Sequence, residues 1–191
     1  MASYQEKQNF KSQLSSAIRL KCTEFTQKNG KISYNEAKSI VASVENVFRS
    51  RVRYVPKEIN AACNLALIIL APSTAAQVEL IKTIVSTCGG LAGLGAIIAG
   101  VGMALGWGTG TVAAVVAWFT GTSVAGPLGW ILGGVSAVVI AGYFYFSSDD
   151  AENAEKFEKA LINGLDKAID KIWPQYGDKL AEKKNPKASI K

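Results

Sequence analysis

Between Lys82 and Asp149 the chain runs for 66 residues without a single charged side chain, although 19% of the whole sequence is charged. Written as helix, such a run extends about 100 Å at ~1.5 Å per residue, against a bilayer hydrocarbon core of about 30 Å. That leaves room for two membrane crossings with a generous connection, or three tight ones. The clearest candidate spans are residues 84–106 and 127–146, with a shorter third helix from Thr111 to Thr120 between glycine-rich turns. Pro127 suits a helix start. Tyr143, Phe144, Tyr145 and Phe146 resemble an aromatic belt at interface depth, and Trp107, Trp118 and Trp130 are further interface candidates.

Fifteen of the 18 glycines fall inside this block. Each costs a helix in water about 1 kcal/mol relative to alanine, so close packing is the expected compensation. Gly102, Gly106 and Gly110 follow one another at intervals of four, which on one helix lines up bare backbone along a face. A longer row of small residues runs Ala113, Ala117, Gly121, Ala125, Gly129, Gly133, Ala137 and Ala141, interrupted at Pro127. In lipid, where apolar burial supplies no drive, small faces of this kind let helices associate by van der Waals contact. A flexible linker is disfavoured, because linkers are polar and Gly/Ser-rich whereas these glycines alternate with Ala, Val, Ile and Leu.

The flanks are amphipathic and predict an all-α fold divided into residues 1–82, 83–148 and 149–191. Phe10, Leu14, Ala17, Ile18 and Phe25 give a helix over 4–28 that Asn29-Gly30 ends. Ser33 and Glu36 form a capping box for a second helix, with Ile40, Val44, Val47 and Phe48 inward and Arg49, Arg51 and Arg53 at its basic end. Pro56 opens an Ala/Leu/Ile-rich run; only about thirteen residues reach from Ile59 to Ala71, short of the ~20 a span requires, so a core helix is predicted. A fourth helix leads from Pro72 past Glu79 and Lys82 into the block. Asp149 or its neighbours cap a last helix with Phe157, Leu161, Leu165, Ala168, Ile169 and Ile172 as its stripe, ending near Pro174. A lysine-rich tail over 179–191 reads as disordered.

The absence of histidine removes Ser/His/Asp and Cys/His nucleophilic sites, and no catalytic residue, cofactor or metal is predicted. Cys22, Cys63 and Cys88 are too scattered for a redox or zinc motif and read as buried small hydrophobes. Residues 25–36 mimic a calcium loop, but Phe25 and Gln27 stand where anionic oxygens are needed. The glycine-rich stretches lack the Gly-Lys-Ser/Thr of a phosphate loop. Nucleic acid is not an expected partner, since the tail lysines have no interleaved aromatics. No secretory signal opens the chain, so export is expected by another route. Residues 1–82 carry twelve Lys/Arg against six acids, and residues 149–191 nine of each. The cationic surplus before the block favours approach to an anionic membrane surface.

The stretch Gly102-Met103-Ala104-Leu105-Gly106-Trp107-Gly108-Thr109-Gly110 and the Gly129/Gly133 pair, in an uncharged block, resemble small glycine-zipper pore-forming antibacterial toxins, particularly effectors of the bacterial type VI secretion system. In outline the chain is also similar to pore-forming colicin domains, a hydrophobic hairpin packed within amphipathic helices, without room for their receptor-binding and translocation parts. The resemblance implies synthesis in the cytoplasm, secretion, insertion into a competitor's inner membrane, self-association into an ion-permeable pore and loss of membrane potential. It also implies a carrier, the ring-shaped (Hcp-type) secretion tube or a chaperone, and a cognate membrane immunity protein. One hairpin is too thin to enclose water, so conduction needs oligomers, with Thr109, Thr111, Thr120, Thr122 or Ser123 as candidate polar lining. The competing expectations are a resident membrane anchor or membrane-shaping hairpin without toxicity, and a soluble helical adaptor whose glycine block packs a partner.

Overall fold

A computed structural model of the chain describes residues 2–88, 92–120, 141–142, 144 and 149–182. Among the described residues the secondary structure is helical without strands: α1 (Tyr4–Asn29), α2 (Tyr34–Val52), α3 (Lys57–Leu70), α4 (Thr74–Cys88), α5 (Leu94–Ala104), α6 (Thr109–Thr120) and α7 (Asp150–Ala181). The all-α class read from the sequence is the class observed.

Local chemistry sets the helix ends. The Ser33 hydroxyl accepts from the Glu36 backbone N–H at 3.3 Å while the Glu36 carboxylate accepts from the Ser33 N–H at 2.8 Å. Ser3 and Glu6 build a second such box at the start of α1, unforeseen because the periodic pattern begins only at Phe10. Each cap is worth about 1 kcal/mol, because it occupies backbone donors that the first turn leaves free. Pro56 caps α3 as expected, and the chain turns at Pro72 into α4.

The bundle is built around α3. Nine of its fourteen residues are buried, among them Ile59, Leu65 and Ile68, and each large aliphatic side chain removed from water contributes about 1.5–3 kcal/mol. The apolar stripe of α7 lies along α3, α4 covers another side, and α5 fits between α3 and α7. On the far side of α7, α1 and α2 contribute Phe10, Leu14, Ile18, Val44 and Phe48 to the same core. Cys22, Cys63 and Cys88 are all buried and unpaired, as their scatter implied.

Two boundaries differ from the sequence reading. The last helix does not stop at Pro174 but passes through it to Ala181. A proline inside a helix costs about 3 kcal/mol, so the continuation needs tertiary support. Burial of Trp173 and Leu180 supplies part of it. Arg51, stacked over the Phe10 ring at 5.1 Å, supplies more by donating to the Leu180 carbonyl and, at 3.5 Å, to that of Glu182. The second difference lies in the uncharged block. Where one span over 84–106 was expected, α4 ends at Cys88 and α5 begins at Leu94. No helix of the described residues is long and apolar enough to cross a membrane.

Candidate functional site

After the end of α4, the described part of the uncharged block is chiefly a short antiparallel hairpin in which α5 lies on α3 and α7 and α6 packs against α5. At 11 and 12 residues these helices extend only about 17–18 Å at ~1.5 Å per residue, little over half a hydrocarbon core. Their separation from α4 is set at Gly93, which caps α5 with φ 103° and ψ −7°. Side chains rarely adopt that conformation, and a Cβ there would also lie 2.9 Å from Cγ, Cδ and Cε of Lys171.

Glycines make the hairpin's contacts, but not in the row that the spacing suggested. Gly102 belongs to α5, Gly106 lies in the connecting turn at φ 71°, and Gly110 belongs to α6, so in this structure they share no helix face. Gly102 lets the Trp107 ring fold back, since a Cβ would meet its Cε3 at 2.7 Å and Val112 Cγ2 at 3.0 Å. No described residue lies within 4 Å of a Cβ built on Gly106 or Gly110. Trp107 is half-buried and meets Phe144 edge to face at 4.9 Å; Trp118 is half-buried and set edge-on to Phe119 at 5.2 Å. Gly121, Gly129, Gly133, Trp130, Tyr143 and Tyr145 lie outside the described residues, as does the expected span 127–146 apart from residues 141–142 and 144.

The closest helix approach involves glycines that the sequence reading did not select. A Cβ on Gly100 would sit 2.8 Å from the backbone carbonyl oxygen of Asn163 on α7. A Cβ on Gly164 would sit 3.1 Å from Val101 on α5 and 3.3 Å from Ala62 on α3. Gly100 and Gly164 therefore let three helices meet at one point. Gly164 had a legible signal: a glycine inside the amphipathic pattern between Leu161 and Leu165 weakens the helix unless a neighbour approaches closely. Among the described residues no hydrogen bond or ion pair joins α5 to α3 or α7. The described contact there is van der Waals packing around Gly100 and Gly164.

The opposite face of α7 is held by charge. Lys11, 7% exposed, bridges Asp166 at 2.8 Å and Asp170 at 2.9 Å, and Lys7 reaches Asp170 at 2.8 Å. Burial by itself would lower the Lys11 pKa, but the two carboxylates overcome it and hold the ammonium above its ordinary value. For Asp170 burial pushes upward, and the hydrogen bonds from Lys7 and Lys11 more than reverse it, leaving the carboxyl below its usual range. Further along, burial raises the Glu158 carboxyl, with Arg19 at 3.8 Å opposing only in part. It borders a cavity of about 230 Å3 between α1 and the start of α7, lined also by Cys22 and Thr26. Among the described residues no group of Cys, Asp and Glu has the arrangement of a metal site.

Comparison with protein-family models, curated proteins and solved structures finds no match to this chain. The reading of function rests on the geometry and the sequence.

Proposed function

We propose that this bundle is the water-soluble form of an antibacterial pore-forming toxin, in which α3 and α7 store the uncharged, glycine-rich element until it reaches a competitor's inner membrane. The observation that carries the reading is the asymmetry of the bonding around α7. Charged pairs and hydrogen bonds tie α1 and α2 to it, while among the described residues α5 meets it by van der Waals contact around Gly100 and Gly164, with no hydrogen bond or ion pair. A bilayer replaces apolar contact with hydrocarbon at little cost, so lipid competes for α5 and not for the charged side of the bundle.

Insertion requires more than undocking. Helices of 11 and 12 residues do not span, so the break around Gly93 closes and α4 and α5 join into one longer helix, recovering the span expected over 84–106. Gly102, Gly106 and Gly110 would then fall on a common face, with Gly121, Gly129 and Gly133 available on the following segment. Self-association through these small faces forms the pore, and the membrane potential collapses. A secretion tube of the Hcp type or a chaperone carries the protein out of the producing cytoplasm, and a membrane-bound immunity protein protects the producer.

The test directs the chain to the periplasm of a bacterium and follows membrane potential with a voltage-sensitive dye. Rapid depolarisation supports the toxin. Stable accumulation in the membrane with unchanged potential would favour a non-toxic anchor or membrane-shaping hairpin.

A further inference from the structure

The two faces of α4 differ in chemistry. Ile81, Ile84 and Cys88 are buried against α3, while Thr83, Ser86 and Thr87 are exposed beside Glu79 and Lys82. At about 100° per residue these five polar side chains share an arc of about 140°. Glu79 and Lys82 pair with each other at 3.0 Å. Lys82 is the last charge before the uncharged block, so beyond it hydroxyls alone carry the wet face of the helix. Lys, Glu and Gln would hold a water-facing helix better than Ser or Thr. A hydroxyl has the advantage in lipid, where it escapes the cost of desolvating an ion.

The hydroxyls also have a direction. Thr83 Oγ1 donates to the Glu79 carbonyl at 2.9 Å, Ser86 Oγ to the Thr83 carbonyl at 3.0 Å, and Thr87 Oγ1 to that same carbonyl at 2.7 Å. Thr87 Oγ1 lies in addition 3.3 Å from Cys88 Sγ, its neighbour on the same helix. Among the described residues none of the three bonds outside α4. A hydroxyl has one hydrogen and two lone pairs, and bonding back to the preceding turn spends the hydrogen. What these side chains turn outward is therefore oxygen lone pairs, which coordinate cations and offer an anion no donor.

We propose that Thr83, Ser86 and Thr87 line the mouth of the pore, with the Glu79–Lys82 pair at its rim, and that this band passes monovalent cations in preference to anions. The inference rests on the pore reading above and adds the lining face and the charge of the permeant ion. When α4 and α5 join, the face that is wet in the bundle stays wet toward the pore, and Ile81, Ile84 and Cys88 exchange α3 for lipid and neighbouring helices. Gly102 and Gly106 fall roughly opposite the hydroxyl arc on such a helix, so packing through them leaves the hydroxyls free. The band from Thr83 to Thr87 is about 6 Å deep at ~1.5 Å per residue. Beyond Gly93 the same arc carries Leu94, Ile97 and Val101, so the hydroxyls form an entrance and not a full-length filter. An entrance of this kind leaves the ion its water, and sodium and potassium pass alike.

The test adds the full-length protein to vesicles that hold a potassium chloride gradient and reads the permeability ratio of potassium to chloride from the sign and size of the dye signal. Wild type should develop the potential that potassium efflux sets. Thr83→Val, Ser86→Ala and Thr87→Val together keep the side-chain volumes nearly unchanged and remove the outward oxygens, and the ratio should fall by about fivefold. Ser12→Ala with Ser16→Ala removes exposed hydroxyls from α1 and should leave the ratio alone. Two charge variants read the rim independently of the hydroxyls. Lys82→Gln leaves Glu79 and should raise the ratio; Glu79→Gln leaves Lys82 and should lower it. A wild-type preference for chloride, a triple variant that conducts at the wild-type ratio, or shifts in the same direction from Glu79→Gln and Lys82→Gln would each overturn the proposal. Should the triple variant fail to insert, the two rim variants decide. Wild-type protein that gives no ion flux with any vesicle refutes the pore reading itself, whereas flux without these shifts refutes only the lining.

Discussion

Gly100→Ala is the most direct probe of how the glycine-rich element is stored. The added Cβ would lie 2.8 Å from the Asn163 carbonyl oxygen, which belongs to the α7 backbone and is not free to rotate aside. Ordinary C···O contact begins at about 3.3–3.6 Å, so α5 must withdraw by about 0.5–0.8 Å. That withdrawal also loosens Val101 against Gly164 and Ala62. Overpacking of this kind costs about 1–3 kcal/mol, and the better helix propensity of alanine returns up to about 1 kcal/mol. The net expectation is a loss of about 1 kcal/mol, read as a lower urea midpoint at unchanged slope. Because the loss falls on the docked hairpin alone, dye release from anionic vesicles should become faster. Gly110→Ala is the control: no described residue lies within 4 Å of its Cβ position, so it should be neutral or stabilising. A Gly100→Ala protein as stable as wild type, or a Gly110→Ala protein equally weakened, would refute the storage argument.

Four further outcomes follow from individual sites. Replacing Gly93 by Ala, where φ is 103°, should destabilise the bundle and speed vesicle leakage, since the break between α4 and α5 is strained while the joined helix is favoured; circular dichroism in lipid and dye release report both. The Asp170 carboxyl is held below its ordinary value near 3.8, so its stabilisation is present above that pH and lost as acid titrates the folded form. Asp170→Asn should therefore weaken the protein at neutral pH and flatten its stability profile below about pH 4, by urea unfolding across pH. Glu158 has the opposite sign. Its folded-state pKa lies above 4.5, so its contribution falls as pH rises through that window, and Glu158→Gln should remove this downward slope. Finally, burial pushes the Cys22 thiol up to about 12 and raises Cys63 and Cys88 as well, so thiol labelling should be slow in buffer; rapid labelling of Cys88 on adding anionic vesicles would report opening at the α4 end.

The flanking helices were legible in the sequence because their signals are local. Ser33 with Glu36, Asn29-Gly30 and Pro56 each fix a boundary through the nearest few backbone groups. The periodicity from Phe157 to Ile172 marks the buried stripe of α7 for the same reason. Pro174 misled because its cost is local while the compensation comes from Arg51, more than a hundred residues earlier. The break at Gly93 was hidden in a uniformly apolar stretch, where hydropathy gives length but not backbone conformation. Spacing alone selected Gly102, Gly106 and Gly110, yet the contacts that hold the hairpin pass through Gly100 and Gly164, and Gly164 lies on a helix far outside the uncharged block. The Lys11 cluster went unselected because a lysine on an amphipathic helix reads as solvated until its partners on α7 are placed beside it.

The central claim is that the glycine-rich element leaves the bundle for a bilayer and opens it to ions. Purified protein added to anionic vesicles that carry a potassium diffusion potential, monitored with a potential-sensitive dye, tests it without carrier or immunity protein. The account predicts prompt discharge that is faster for Gly100→Ala than for wild type. A potential that persists while the protein floats with the vesicles would contradict it.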